Sequence, residues 1–247
     1  MACCPKSIIE DVLKKHDKIT HVYFVACGGS YAGLHPGKYF LQSEAKKVTV
    51  DHYTANEFCH ATPKALGPNS IVITQSHSGT TPETVKAAEI AQKAGAASVV
   101  ITFDDQSPLA KNGDYVLKYE AKATADMTGM AFGLKLAVEI LNQIEGYENY
   151  DEMMNGFDRI DGIVKHAKEF LTPRAKVFAE EYKDEKLIYM MGSGANYNVA
   201  YSFAICLLME MQWVNSSAIH SGEYFHGPFE ITDRETPFII LMSEGRT

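Results

Sequence analysis

Apolar segments alternate with amphipathic segments along the first 145 residues of the chain. Short apolar runs predict buried strands, and the segments between them have the spacing of helices. The predicted strands are HVYFVAC (21–27), KVTVDHYTA (47–55), SIVITQS (70–76), ASVVITF (97–103) and YVLKYE (115–120). The predicted helices are a segment from residue 28 to about 45, PETVKAAEIAQKAG (82–95) and MTGMAFGLKLAVEILNQIE (127–145). This alternation predicts an α/β fold of three layers, a parallel sheet with helices on both faces.

The opening pattern returns in the second half of the chain. HVYFVACGGSYA (21–32) is echoed by KLIYMMGSGANY (186–197), in each case an apolar strand, a Gly/Ser turn and a helix start with tyrosine. A repeat of this length predicts two domains of one fold. We expect a first domain at 1–150, a helical linker at 151–180 and a second domain at 181–247. The second copy has fewer elements than the first, so we expect it to be incomplete at its C-terminal end.

The segment VITQSHSGTTPET, residues 72–84, is unusually rich in polar side chains at the end of a predicted strand. From Ser76 to Thr81, five of six residues can form side-chain hydrogen bonds, and the sixth is a glycine. A helix cap at Thr80 or Thr81, with a capping box to Glu83, would explain one or two hydroxyls. A phosphate cradle at the helix N-terminus would explain all of them. We prefer the cradle, and the cap stays open as the alternative.

Composition and charge exclude several classes of partner. The net charge is −8 and the isoelectric point is about 5.6, which argues against binding to nucleic acid. No apolar run approaches the length of a membrane span, and the first residues lack the apolar core of a signal peptide. The five cysteines are odd in number, which argues against a disulfide framework. These features predict a cytoplasmic protein without membrane or nucleic-acid partners.

The densest polar cluster in the second half is HSGEYFHGPFE, residues 220–230. A metal site is one interpretation, but His220 and His226 are six residues apart and do not match a helix-borne pair of ligands. General acid–base chemistry by a carboxylate and a histidine is the better interpretation.

Glu210 lies in the otherwise apolar stretch AICLLMEMQW. It is either buried, in which case its pKa would rise and it would be a stronger base, or it lies on a solvated helix face. The single tryptophan, Trp213, is expected in the core or at an interface.

Two motifs resemble those of the sugar isomerase (SIS) domain, a phosphosugar-binding α/β fold of the flavodoxin-like type. They are CGGS (27–30) and SHSGTTPET (76–84), and MGSGANY (191–197) resembles a second copy of the same domain. The resemblance implies that substrate or phosphate is bound by Gly29, Ser30, Ser76, His77, Ser78 and Thr81.

A second resemblance is more specific. LLMEMQWVNSSAIHSGEYFHGPFEI (207–231) is similar to the fructosamine deglycases, in which a glutamate and the histidine of His-Gly-Pro form the acid–base pair. These residues match Glu210 and His226, and Glu223 matches a glutamate that we take as a pocket residue. The isomerase half of glucosamine-6-phosphate synthase has its base at the position of Phe203, which favours a deglycase.

The resemblance implies cleavage of a 6-phosphorylated Amadori compound, such as fructoselysine 6-phosphate, to glucose 6-phosphate and an amino acid. It implies no cofactor or metal, and a homodimer or higher homo-oligomer with interface helices around 128–144 and 198–212. Two alternatives stay open: an isomerase or deaminase of glucosamine 6-phosphate, and a non-catalytic sugar-phosphate-binding regulator. The amine that the sugar carries is not identified.

Overall fold

The computed structural model describes residues 4–120 and 122–243, and all five strands predicted in the first half of the chain are present. They pair in parallel in the order β2-β1-β3-β4-β5. The predicted α/β fold with a parallel sheet is therefore confirmed. The strands are β1 (His21–Ala26), β2 (Thr49–Thr54), β3 (Ser70–Ser76), β4 (Ala97–Thr102) and β5 (Tyr115–Lys118).

Helices cover both faces of this sheet. On one face, side chains of α1, α2 and α5, such as Ile9, Leu41 and Leu136, are buried in one apolar cluster with strand residues. On the other face, Phe58 of α3 and Ala87 of α4 pack on Val72 in a second cluster. Of these helices, α1 and α3 were not predicted. The bounds are α1 (Pro5–Lys15), α2 (Gly28–Glu44), α3 (Ala55–His60), α4 (Pro82–Lys93) and α5 (Gly129–Glu145).

Glycines allow α2 and α5 to cross at very short distance. A Cβ atom added to Gly37 would lie 2.6 Å from the backbone oxygen of Gly133. Near the start of the same two helices, Cβ atoms at Gly33 and Gly129 would lie 3.2 and 2.8 Å from Nε2 of Gln75. Because β3 carries Gln75 immediately before Ser76, this contact supports the end of the strand where the turn 76–81 begins.

The chain divides into two compact units, residues 1–162 and 163–247. The predicted linker, 151–180, lies within the long helix α6 (Tyr150–Tyr182). The second unit has a three-stranded parallel sheet in the order β7-β6-β8. Its elements are β6 (Leu187–Gly192), α7 (Tyr197–Ser202), a π-helix (Phe203–Met211), β7 (Asn215–His220) and β8 (Phe238–Ile240).

The two sheets share one strand register. His21 at the start of β1 pairs with Thr49 of β2, and Leu187 at the start of β6 pairs with Asn215 of β7. The separation between the partners along the chain is the same in both pairs. The pairing of β1 with β3 matches that of β6 with β8 in the same way. The pairing of β6 with β7 and β8 therefore repeats that of β1 with β2 and β3 at a constant offset along the chain, with Leu187 as the counterpart of His21.

The turn after the first strand is also repeated. Gly28 and Gly194 follow β1 and β6 at equivalent positions, and both have φ of +54°. No helix among residues 4–120 and 122–243 is long and apolar enough to cross a membrane.

Candidate active site

The turn after β3 carries two pairs of hydroxyl groups that hydrogen-bond to each other. Ser76 Oγ lies 3.0 Å from Thr81 Oγ1, and Ser78 Oγ lies 2.8 Å from Thr80 Oγ1. The backbone N–H groups of Gly79 and Thr80 donate to Ser76 and Ser78, at 3.2 Å each. Each hydroxyl pair uses one O–H internally, so one O–H per pair is available to an external acceptor. The turn therefore offers two hydroxyl donors to an anion.

Gly79 is required by the conformation of this turn. It is buried and has φ of +65°, a region that favours glycine. A Cβ atom at this position would lie 2.1 Å from Ser107 Oγ and 2.3 Å from Ser107 Cβ. The carbonyl of Gly79 accepts a hydrogen bond from the N–H of Leu109 at 3.0 Å. The turn is thus held against the segment that follows β4.

The helix cap that was the alternative explanation of the turn is not formed. Thr81 is the residue before α4, but its side chain makes no capping hydrogen bond, and Pro82 opens the helix. The hydroxyl of Thr81 is paired with Ser76 instead. The first N–H groups of a helix have no acceptor within the helix, and they carry its positive dipole end. An anion at the turn would therefore meet an uncapped helix N-terminus.

Gly29 and Ser30 lie in the first turn of α2, which directly follows β1. The residue before α2, Cys27, also makes no side-chain capping bond. Strands β1 and β3 are parallel neighbours, with Ala26 opposite Gln75. The start of α2 and the turn after β3 therefore lie at the same carboxyl edge of the sheet, the usual ligand side of such folds.

His77 is exposed in the turn, and its ring is held by two aromatic residues. Nδ1 of His77 lies 3.0 Å from the hydroxyl of Tyr119, and the ring stacks on Phe103 at 5.1 Å between centroids. Phe103 and Tyr119 were not predicted as residues of the site. Both directly follow a strand, β4 and β5, so their position at the carboxyl edge was the available signal.

Glu210 lies in the π-helix of the second unit, and its side chain is exposed. Of the two interpretations offered for it, the solvated helix face is the one that this structure has. Trp213, three residues further on, is 87% exposed and has φ of 59°, a conformation that bulky residues rarely adopt. Of the two places expected for Trp213, the core of this chain is therefore wrong, and an interface stays a prediction.

The polar cluster 220–230 folds into short 3-10 turns, Ser221–His226 and Pro228–Ile231. His220 caps the first turn, since its Nδ1 accepts a hydrogen bond from the N–H of Gly222 at 3.1 Å. Glu223 and His226 are exposed. Within the described parts of the chain, no group of three or more His, Cys, Asp or Glu side chains could hold a metal ion.

The predicted site residues therefore fall into two sets. Gly29, Ser30 and the residues of the turn 76–81 lie in the first unit, and the structure brings Ser76, Ser78 and Thr81 into one hydrogen-bonded turn. Glu210, Glu223 and His226 lie in the second unit. Their assigned roles stay predictions.

Comparison with known protein families identifies the domain that contains the first set. The SIS domain family matches residues 17–143, which include β1 to β5 and the turn 76–81. The chain belongs to the SIS domain family. The family match covers one SIS domain, whereas the sequence predicted two.

Three relatives illustrate the position of this SIS protein within the family. It is 46% identical to fructosamine deglycase FrlB of Bacillus subtilis (strain 168) over 235 residues, 94% of this chain and 72% of that protein. It is 25% identical to fructoselysine 6-phosphate deglycase of Escherichia coli (strain K12) over 241 residues, 98% of this chain and 70% of that protein. The crystal structure of a proposed phosphosugar isomerase from Salmonella typhimurium LT2 superposes with a TM-score of 0.96 at 49% identity, covering 98% of this chain and 73% of that one.

Proposed function

We propose that this SIS protein is a deglycase that converts a 6-phosphorylated fructosamine to glucose 6-phosphate and a free amino acid. The observation that carries the proposal is the 46% identity to a fructosamine deglycase over 94% of the chain. The hydroxyl-rich turn at the uncapped N-terminus of α4 supports a phosphorylated substrate, because it offers several donors to an anion.

In this proposal the phosphate of the substrate binds at the carboxyl edge of the first sheet. The donors are the two free hydroxyls of the turn, the first N–H groups of α4 and groups at the start of α2. Binding energy gained at the phosphate is used to hold the reacting carbons at the base. The residues assigned to this site are Gly29, Ser30, Ser76, His77, Ser78 and Thr81.

The chemistry is ring opening, transfer of a proton from C1 to C2, and hydrolysis. His226 aids opening of the sugar ring by moving the proton between the ring oxygen and the C2 oxygen. Glu210 then removes a proton from C1, which is acidified by the neighbouring C2 carbonyl, and a C1=C2 enolamine forms. Protonation at C2 gives a C1=N imine of glucose 6-phosphate. Water adds at C1, and the resulting carbinolamine breaks its C–N bond and releases the amino acid. Glu223 is assigned to the lining of the pocket.

The local structure around Glu210 supports a functional role for that segment. The residue lies in a π-helix of nine residues, a rare conformation that is frequent at functional sites. Its counterpart segment in the first unit is the regular helix α2. Of these two corresponding segments, only the one in the second unit, which carries the proposed base Glu210, has the π-helical winding.

The test is a coupled assay of glucose 6-phosphate release from fructoselysine 6-phosphate. We expect Glu210→Gln and His226→Asn to lose turnover by about 100-fold or more while they still bind glucose 6-phosphate. His60→Asn is the matched control, because the shared strand register makes His60 the counterpart of His226 in the first unit. Full turnover in Glu210→Gln would remove Glu210 as the base.

Two further measurements, ammonia release and sugar-phosphate binding, separate the alternatives. Release of ammonia from glucosamine 6-phosphate, without action on fructosamines, would support a deaminase. Binding of sugar phosphate without turnover of any of these compounds would support a regulator.

We also propose that residues 181–247 belong to a second, partial copy of the SIS fold, with domain limits at 1–150, 151–180 and 181–247. What supports this is the shared register of the two sheets and the equivalent conformation of Gly28 and Gly194. Hydrogen exchange would test it, because a separate domain should show a protection pattern that is independent of the first sheet.

We further propose that the protein forms a homodimer. The second unit exposes several large apolar side chains in and after the π-helix, and such a patch is typical of an interface. These residues are Leu207, Met209, Met211 and Trp213. Sedimentation of the wild type and of Met211→Ser tests the proposal, and a monomeric wild type would refute it. The cytoplasmic location stays a prediction.

A further inference from the structure

The ring of His77 is fixed more firmly than that of an ordinary exposed histidine. Besides the 3.0 Å contact between Nδ1 and the Tyr119 hydroxyl, its ring lies 5.1 Å from Phe103 and 5.7 Å from Tyr119. Phe103 and Tyr119 also contact each other, with 6.4 Å between ring centroids. The three rings form one cluster at the carboxyl ends of β3, β4 and β5.

The backbone holds the members of this cluster in place. The N–H of Phe103 donates to the carbonyl of His77 at 3.2 Å, and the N–H of Tyr119 donates to the carbonyl of Thr102 at 3.2 Å. The hydroxyl of Thr102 lies 3.5 Å from the same carbonyl of His77. The cluster is therefore built from strand ends, and little side-chain freedom is left to be lost when a ligand binds.

The contact with Tyr119 determines which ring nitrogen of His77 is available for a hydrogen bond to a ligand. Nδ1 is occupied by the phenol, whereas Nε2 makes no hydrogen bond to any residue that the structure describes. When the phenol donates to Nδ1, a neutral imidazole carries its proton on Nε2 and can donate it to an anion. Burial raises the pKa of Tyr119, which keeps its hydroxyl protonated.

We infer that Tyr119 is a positioning residue that holds the ring of His77 so that Nε2–H donates to the phosphate of a bound sugar phosphate. The inference rests on the proposed function of the turn as a phosphate site. Tyr119 itself touches no reacting atom. Its loss should weaken binding of the phosphate and leave the chemical step unchanged.

Tyr119→Phe is the direct test, because it keeps the ring and its packing and removes only the hydroxyl. We expect the dissociation constant for glucose 6-phosphate, measured by calorimetry, to rise about five-fold, the loss expected for one hydrogen bond. The KM for fructoselysine 6-phosphate should rise similarly, with kcat within about two-fold of the wild type.

A control and a double variant separate positioning from packing. Tyr115→Phe deletes a hydroxyl that donates to Asp11 at 2.8 Å, at the opposite end of β5, and it should not change binding. His77→Ala should weaken binding at least as much as Tyr119→Phe, and adding Tyr119→Phe to His77→Ala should weaken it no further.

The binding measurements test the phosphate site and the role of Tyr119 separately. A wild type that does not bind glucose 6-phosphate refutes the proposed phosphate site, and this inference with it. Normal binding by Tyr119→Phe, additive losses in the double variant, or a loss confined to kcat would overturn the role of Tyr119 alone. Nitrogen NMR of the imidazole gives an independent readout: the ligand-bound wild type should have its proton on Nε2, and Tyr119→Phe should show a mixture of tautomers.

Discussion

Replacing Gly79 by alanine is the sharpest test of how the turn 76–81 is built. The added methyl group destabilises the folded state in two separate ways. The backbone has φ of +65°, and holding alanine there costs about 1–2 kcal/mol. The Cβ atom would also lie 2.1 Å from Ser107 Oγ, and such overpacking costs about 1–3 kcal/mol. We therefore expect Gly79→Ala to lower the free energy of unfolding of the first unit by about 2–5 kcal/mol and to abolish sugar-phosphate binding.

The two costs can be separated by experiment. Ser107→Gly removes the two nearest atoms and leaves Thr102 Oγ1, which would lie 3.0 Å from the new Cβ atom. Adding Gly79→Ala to that variant should therefore cost less than in the wild type, about 1–2 kcal/mol for the backbone plus the smaller contact with Thr102. Gly67→Ala is the control, since a Cβ atom at Gly67 has no neighbour within 4 Å, and its effect should stay within about 0.5 kcal/mol. Urea unfolding is followed by far-UV circular dichroism, because the only tryptophan lies in the second unit. A loss below about 1 kcal/mol in Gly79→Ala, or equal losses in both backgrounds, would contradict this account of the turn.

Three further predictions concern other parts of the molecule. In urea unfolding, Gly37→Ala should destabilise the protein by about 2 kcal/mol or more, and by more than Gly133→Ala does. The methyl group added at Gly37 would lie 2.6 Å from a backbone oxygen, whereas the one added at Gly133 would lie 3.1 Å from a flexible leucine side chain. Burial, aided by the charges of His35 and Lys38, lowers the pKa of His52 to about 3. As the pH falls, His52 is therefore protonated in the unfolded chain before it is protonated in the folded one. The free energy of unfolding consequently decreases as the pH drops from about 6.5 towards 3. At pH 5 this loss is about 2 kcal/mol relative to pH 7, and His52→Phe should remove it from the pH dependence of unfolding. Trp213 fluorescence should be quenched by acrylamide in a monomer and protected in a dimer that covers it.

The sequence predicted the sheet well because its three central strands, β1, β3 and β4, are almost completely buried on both faces. SIVITQS was predicted as a strand over 70–76, and all seven residues are buried in β3. Helix α3 was missed because its six residues, ANEFCH, are too few to show a helical period. A helix was predicted around 198–212, but its π winding over Phe203–Met211 was not, because the winding depends on packing.

The candidate site was predictable only in part, and the reason is physical. Hydroxyls that follow one another along the chain, such as those of Ser76 and Ser78, are visible in the sequence as a turn. The contact between His77 and Tyr119 joins residues 42 positions apart and depends on strand order, which places β5 next to β4 and β4 next to β3. Periodicity and motifs carry no information on such a contact.

The shared strand register aligns a glutamate and a histidine proposed for the site in the second unit with a glutamate and a histidine in the first unit. At the constant offset between the two units, Glu57 and His60 of α3 are the counterparts of Glu223 and His226, and all four side chains are exposed. The same residue types therefore occur at the same positions in both units, so residue type and local position alone cannot define an acid–base pair. What differs is the preceding element: α2 is a regular helix in the first unit, whereas the second unit has the π-helix that carries Glu210. If His226→Asn abolishes turnover and His60→Asn does not, residue type and local position are not sufficient for activity, and the role belongs to the histidine of the unit with the altered winding.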